Sequence, residues 1–119
     1  MPESPVTAIE PQPDAVIVRV LPDRLDEQQL QQLHAELRAA AGTHPGLPFV
    51  VDLARVSFMP SMSLAGLIRL RADFGARQQH LTLAGLQPQV RDVFVVTRLD
   101  RLFDLQEDVP TALRALRPA

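Results

Sequence analysis

Two serines pose the chemical question in this chain. Ser61 and Ser63 lie in the stretch VDLARVSFMPSMSLAGL, residues 51–67, where an apolar run ends at Asp52 and MPSMS opens a helical pattern. A serine so placed can attack a substrate, receive a phosphate, or cap the helix with its oxygen. Nucleophilic attack needs a framing turn and a base, and no nucleophile-elbow sequence surrounds any serine here. His34, His44 and His80 lie far apart without metal-ligand spacing. The chain has no cysteine, which removes disulfides, thiol chemistry and thiolate metal sites. GLQPQ is not a phosphate loop. The expectation is a protein that is not an enzyme, with no catalytic residue, no metal and no cofactor.

Capping and modification remain open to Ser61, and the two are compatible. Its oxygen can take orphan amides at the start of an apolar helix, in which case its removal costs about 0.5–2 kcal/mol. A phosphate there is also welcome electrostatically. Ser63 has the same options. Asp52, at a strand end, reads as a structural acid that accepts loop amides. Met59 and Met62 flank the serines. Exposed, they form an adaptable apolar contact for a protein partner; buried, they are core. Arg69, Arg71 and Arg77 make one helix partly basic, which reads as a solvated face or a contact for an acidic partner. Glu36, on a different helix, serves as a remote control position.

The elements that position these residues follow from periodicity. Val6 to Ile9 reads as a short edge strand, and EPQPD as a turn, since two prolines there cannot both sit in a ladder. AVIVRVL, residues 15–21, is β-branched and apolar, a buried strand. Asp26 with Gln29 forms a capping box, Leu30, Leu33, Leu37, Ala40 and Ala41 repeat at helical spacing, and Gly42 is placed to stop that helix. FVVDL, residues 49–53, is apolar on both faces until Asp52, as a central parallel strand is. A helix from about Ser61 to Gln78 buries Leu64, Leu67, Ile68, Leu70 and Phe74. HLTLA, residues 80–84, is a strand, and Pro88 opens a helix carrying Val90, Val93 and Phe94. A last strand spans about 101–105. EDVPTALRALR closes as a helix, acidic first and basic last. Strands alternating with helices imply crossovers and a mostly parallel sheet with helical cover.

The bulk properties agree. At 119 residues, with 46% hydrophobic residues, the chain is long enough for one domain with one core. Its net charge of −2 argues against nucleic acid, which calls for a basic face. All twelve basic residues are arginine. MPESPVTAIEPQPD lacks the basic and apolar regions of a signal peptide, and no apolar run nears the ~18 residues of a membrane span. The expectation is a soluble, cytoplasmic protein without membrane insertion.

Three stretches together carry a resemblance: FVVDLARVSFMPSMSLAGL, VRDVF, and TRLDRLFDL followed by ALRAL. In this order and spacing the chain resembles the STAS domain, shared by anti-sigma factor antagonists and the cytoplasmic tails of sulfate transporters. The resemblance covers residues 6–116 and implies an α/β fold: a mostly parallel, mixed sheet of about five strands with about four helices. The first stretch is similar to the family's strand, Asp, then V-[ST]-F-[IM]-D-S-[ST]-G-L. The serine of that pattern is the one a partner kinase phosphorylates, and it falls on Ser61, with Ser63 the lesser candidate. Three neighbours differ: Pro60 stands for the loop Asp, Met62 for the hydroxyl residue and Ser63 for the glycine.

The resemblance implies a partner: an anti-sigma factor that doubles as a serine kinase with a histidine-kinase-like ATP fold, and with it a phosphatase. The unmodified domain would bind that partner through Met59, Pro60, Met62 and Ser63, and phosphate on Ser61 would release it. A second expectation is a degenerate STAS module, never phosphorylated because Pro60 stiffens the backbone, acting as a scaffold or transporter accessory subunit. A third is a small enzyme or nucleotide binder using the strand-end crevice.

Overall fold

The computed structural model describes residues 4–116. Its core is a five-stranded sheet in simple sequence order. Strands β1 (Thr7–Pro11), β2 (Val16–Val20), β3 (Phe49–Asp52), β4 (Leu81–Ala84) and β5 (Asp104–Gln106) lie side by side. β1 runs antiparallel to β2, and every other pair is parallel. Parallel neighbours need crossovers, which are helices α1 (Glu27–Thr43), α2 (Leu64–Ala76) and α3 (Pro88–Val96). The final helix α4 spans Val109–Leu116.

Strand alternation sorts the side chains into two layers. Val16, Val18, Val20, Phe49, Val51, Leu81 and Leu83 face α1, α2 and α3 in the main core. Val50 and Ala84 face the other way, under Ala112, Val109 and Leu113 of α4. β3 is therefore covered on both sides, which explains its unbroken apolar run. Phe49 and Phe74 meet edge to face with ring centroids 5.0 Å apart, fixing α2 to the central strand. Two acidic caps set helix starts. Asp26 accepts the Gln29 amide while the Gln29 side chain accepts the Asp26 amide, and Asp108 accepts the Thr111 amide.

Several boundaries differ from the sequence expectation, each for a physical reason. β1 runs on to Pro11, because an edge strand tolerates a proline whose missing N–H faces no neighbour. Gly42 does not stop α1. The helix reaches Thr43 and ends at His44, since the residue before Pro45 disfavours helical backbone. The left-handed turn falls on Gly46, at φ +79°. Ile68 is 39% exposed rather than buried, because the inward stripe of α2 is Leu64, Leu67, Leu70 and Phe74. The last strand begins at Asp104 rather than Arg101, after a 3-10 turn over Leu99–Arg101. Arg114 sits in the last turn of α4, and Arg117 lies outside the described residues.

Glu36 is no neutral control. Its carboxylate accepts the amides of Val6 and Thr7, both at 3.0 Å, and ties the start of β1 to α1.

Candidate functional site

The knuckle between β3 and α2 is pinned by a loop distant in sequence. The Ser57 amide donates to the Asp23 carbonyl at 2.8 Å, and the Leu25 amide to the Phe58 carbonyl at 3.0 Å. Arg24 pairs with Phe58 in an isolated parallel bridge and lies over its ring, 4.5 Å from the centroid. The side chains of Gln87 and Gln89 donate to the carbonyls of Ala54 and Ser57. Buried Val56 and Met59 anchor the loop from below. Pro60 then holds extended backbone, φ −60° and ψ 147°, and a 3-10 turn over Ser61–Ser63 leads into α2.

That turn separates the two serines. Ser63 is 1% exposed, and its hydroxyl donates to the Leu25 carbonyl at 2.7 Å. It stands at the family's glycine position with ordinary helical backbone, φ −72°. Burial removes it as a phosphoacceptor and as a partner contact. Met59, 4% exposed, is likewise core rather than contact surface. Ser61 is exposed, and neither the 3-10 turn nor α2 is capped by a side chain. The capping expectation for Ser61 therefore fails: a 3-10 start puts the serine oxygen beside no orphan amide that it reaches. Removing the Ser63 hydroxyl is the costly change. Ser63→Ala should lower stability by about 1–2 kcal/mol, because a buried carbonyl loses its donor. Urea unfolding of that variant beside Ser61→Ala, which should stay within about 0.5 kcal/mol of wild type, checks the contrast.

Exposed apolar side chains flank Ser61 along the chain. Met62 is 74% exposed and Phe58 47%, while Ala65 and Ile68 continue the outward face of α2. Sequence reasoning missed Phe58 and Arg24, whose placement depends on a bridge between loops more than thirty residues apart. Pro60 is partly exposed beside them. Gly66 lets α2 approach α1 closely, since a Cβ there would lie 2.5 Å from Leu30 Cδ2.

Asp52 holds the loop that leaves β3. Its Oδ1 accepts the Ala54 amide at 2.9 Å, and Arg19 Nε lies 4.0 Å from Oδ2. Gly85 faces it at φ +74°, where a Cβ would come 3.2 Å from Asp52 Oδ1.

Two of the three histidines, His34 and His80, sit in separate carboxylate pairs. His34 Nε2 lies 3.0 Å from Asp73 Oδ2, joining α1 to α2, with Arg38 and Arg77 at 3.4 and 3.2 Å from the same carboxylate. His80 Nε2 lies 2.7 Å from Asp104 Oδ2, which also accepts the Thr82 hydroxyl. Desolvation raises the Asp73 pKa, but bonds from His34 and Arg77 and the charges of Arg77 and Arg38 outweigh it and hold the group below the usual range. At Asp104, desolvation is likewise outweighed by bonds from His80, Gln106 and Thr82. A carboxyl with a depressed folded pKa contributes stability above its unfolded pKa and loses it as pH falls through the folded value. Stability should therefore drop below about pH 4 in part through these two groups. Urea midpoints from pH 7 to 2.5 should fall less steeply for Asp73→Asn and Asp104→Asn; an unchanged slope would contradict this. Among the described residues, no His, Asp and Glu cluster could hold a metal ion, and no helix is long and apolar enough to cross a membrane.

Comparison with known proteins places this geometry. A family model described as "Mlab, STAS domain" matches residues 9–107. A STAS-domain containing protein of Pseudomonas aeruginosa is 30% identical over 57 residues, which are 48% of this chain and 56% of that protein, so the match spans about half of that relative's length. Among solved structures, an anti-sigma factor antagonist from Mycobacterium paratuberculosis superposes with a TM-score of 0.80 at 25% identity, covering 94% of this chain and 93% of that one. The anti-sigma factor antagonist SpoIIAA of Bacillus, solved in unphosphorylated and phosphorylated forms, gives TM-scores of 0.71 and 0.68 at 20% identity. Those matches cover 94% and 93% of this chain, and 99% of SpoIIAA in each form. With the sheet order, the helical cover and the family model in agreement over most of its length, the chain belongs to the STAS domain family.

Proposed function

We propose that this chain is a protein-binding module of a partner-switching system, similar in role to an anti-sigma factor antagonist. One observation carries the reading: the serine at the family's phosphoacceptor position is exposed on a pinned knuckle, its hydroxyl is not spent on a cap, and Met62 and Phe58 lie exposed nearby. Unmodified, the surface of Phe58, Pro60, Ser61 and Met62 binds an anti-sigma factor that is also a serine kinase of histidine-kinase-like ATP fold. Phosphate on Ser61 places about two negative charges on that surface and releases the partner. A phosphatase resets it. ATP belongs to the partner, and this domain works in the cytoplasm as a binding surface rather than as an enzyme. The structurally similar SpoIIAA, known in both phosphorylation states, supports the reading.

Pro60, standing in place of the family's loop Asp, favours one second reading. A constitutive STAS scaffold or transporter accessory subunit would keep the surface and never carry the phosphate.

Affinity capture from the native cytoplasm, with phosphosite mapping of the recovered domain, separates the two. Recovery of an ATP-binding kinase with phosphate on Ser61 supports the switch; the same yield with Ser61 never modified supports the scaffold. Under either reading Met62→Asp should weaken the recovered complex by about 1–2 kcal/mol, the size of a modest interface hot spot. An exposed position on α4, such as Arg114, is the control, because α4 packs on the other face of the sheet.

A further inference from the structure

At the other end of α2 from Ser61, a cleft of about 470 Å³ opens between the helix and the starts of β4 and β5. Its size falls in the range of small-molecule sites, roughly 300–1,000 Å³. Arg71, Gln78, His80 and Asp104 supply its polar groups, with Ala72 and Leu102 among its apolar wall.

The charges in this cleft are unevenly committed. Asp104 is heavily engaged: its Oδ2 takes His80 and Thr82, at 2.7 and 3.0 Å, and its Oδ1 takes Gln106 at 2.8 Å. Arg71 is fixed but not neutralised. Its Nε donates to the Leu102 carbonyl at 2.8 Å, and among the described residues no carboxylate lies within ion-pair distance of it. A guanidinium held through Nε keeps two amino groups in a planar fork, the geometry that grips a carboxylate or phosphate. The cleft's own acid, Asp104, pairs with His80 and lies beyond ion-pair distance of Arg71.

The geometry points to a binding site for a small organic anion, its carboxylate or phosphate on Arg71 and its apolar part against Ala72 and Leu102. The site is independent of the Ser61 surface. The two lie at opposite ends of α2, whose 13 residues span about 20 Å.

The test uses the intact domain and defined probes: hexanoate, inorganic phosphate and hexylammonium, each titrated while backbone amide NMR shifts are followed. Hexanoate should give saturable shifts at Gly75, Gln79 and Leu102. Phosphate should act at the same amides, more weakly because it lacks the apolar part, and hexylammonium should give none. Arg71→Gln should weaken hexanoate binding by about tenfold or more, the loss expected for a charge-assisted pair. Ala72→Leu, an exposed position that leaves Arg71 intact, should weaken it by filling the cleft, which keeps the test valid if Arg71→Gln misfolds. Non-saturating shifts, an equal response to hexylammonium, or unchanged hexanoate affinity in either folded variant would overturn the assignment.

Discussion

A Ser61→Asp variant should fold as stably as wild type and bind the partner about 10- to 100-fold more weakly, about 1.4–2.8 kcal/mol, because the added charge must be partly desolvated at the interface. Stability holds because the 3-10 turn that leads into α2 begins at this residue, and a carboxylate near a helix start is favoured by about 0.3–1 kcal/mol. Ser61 is exposed, so the new charge stays hydrated in the free domain. Binding must strip that water beside the exposed apolar side chains of Met62 and Phe58. Ser61→Ala keeps the surface neutral and should bind as wild type does. Titration calorimetry with the recovered partner, beside urea unfolding of both variants, reads the two effects separately. Equal affinity for the Ala and Asp variants would count against the switch.

The largest loss of stability should follow Phe74→Ala, about 3–5 kcal/mol by the usual cost of a buried aromatic truncation. Phe74 is fully buried, and its ring meets Phe49 of the central strand edge to face. The contact fastens α2 to β3, and so sets where the knuckle between them stands. Helix and strand cannot collapse far into the vacated space while the rest of the stripe, Leu64, Leu67 and Leu70, stays packed. Urea unfolding should show the lower midpoint with little change in slope. A loss under about 1 kcal/mol would mean that α2 is held mainly by its other contacts.

The fold was legible where apolar periodicity alone decides it. β2 and β3 announce themselves as β-branched runs, and the capping box at Asp26 marks the start of α1. Boundaries slipped where one residue's local signal met a stronger one nearby, as Gly42 did against Pro45. The site was legible in its position and less so in its details. Either helical spacing puts residues two apart on different faces, so the sequence could separate Ser61 from Ser63 but not say which of them is turned to the core; the structure turns Ser61 outward and Ser63 inward. The burial of Met59 and the exposure of Phe58 depend on the loop carrying Asp23 to Leu25, which pairs with the knuckle across a long stretch of sequence. The pairs His34–Asp73 and His80–Asp104 were invisible for the same reason: each joins residues that only the crossovers bring together.

Under the proposed switch, phosphate on Ser61 governs attachment to a partner. Calorimetric titration of the recovered partner with unmodified domain, and with domain phosphorylated at Ser61 alone, decides it. The unmodified form should bind, and phosphorylation should weaken binding by about tenfold or more, as expected for charge placed in an interface built for a neutral hydroxyl. Equal affinity of the two forms would contradict it and leave the domain a scaffold.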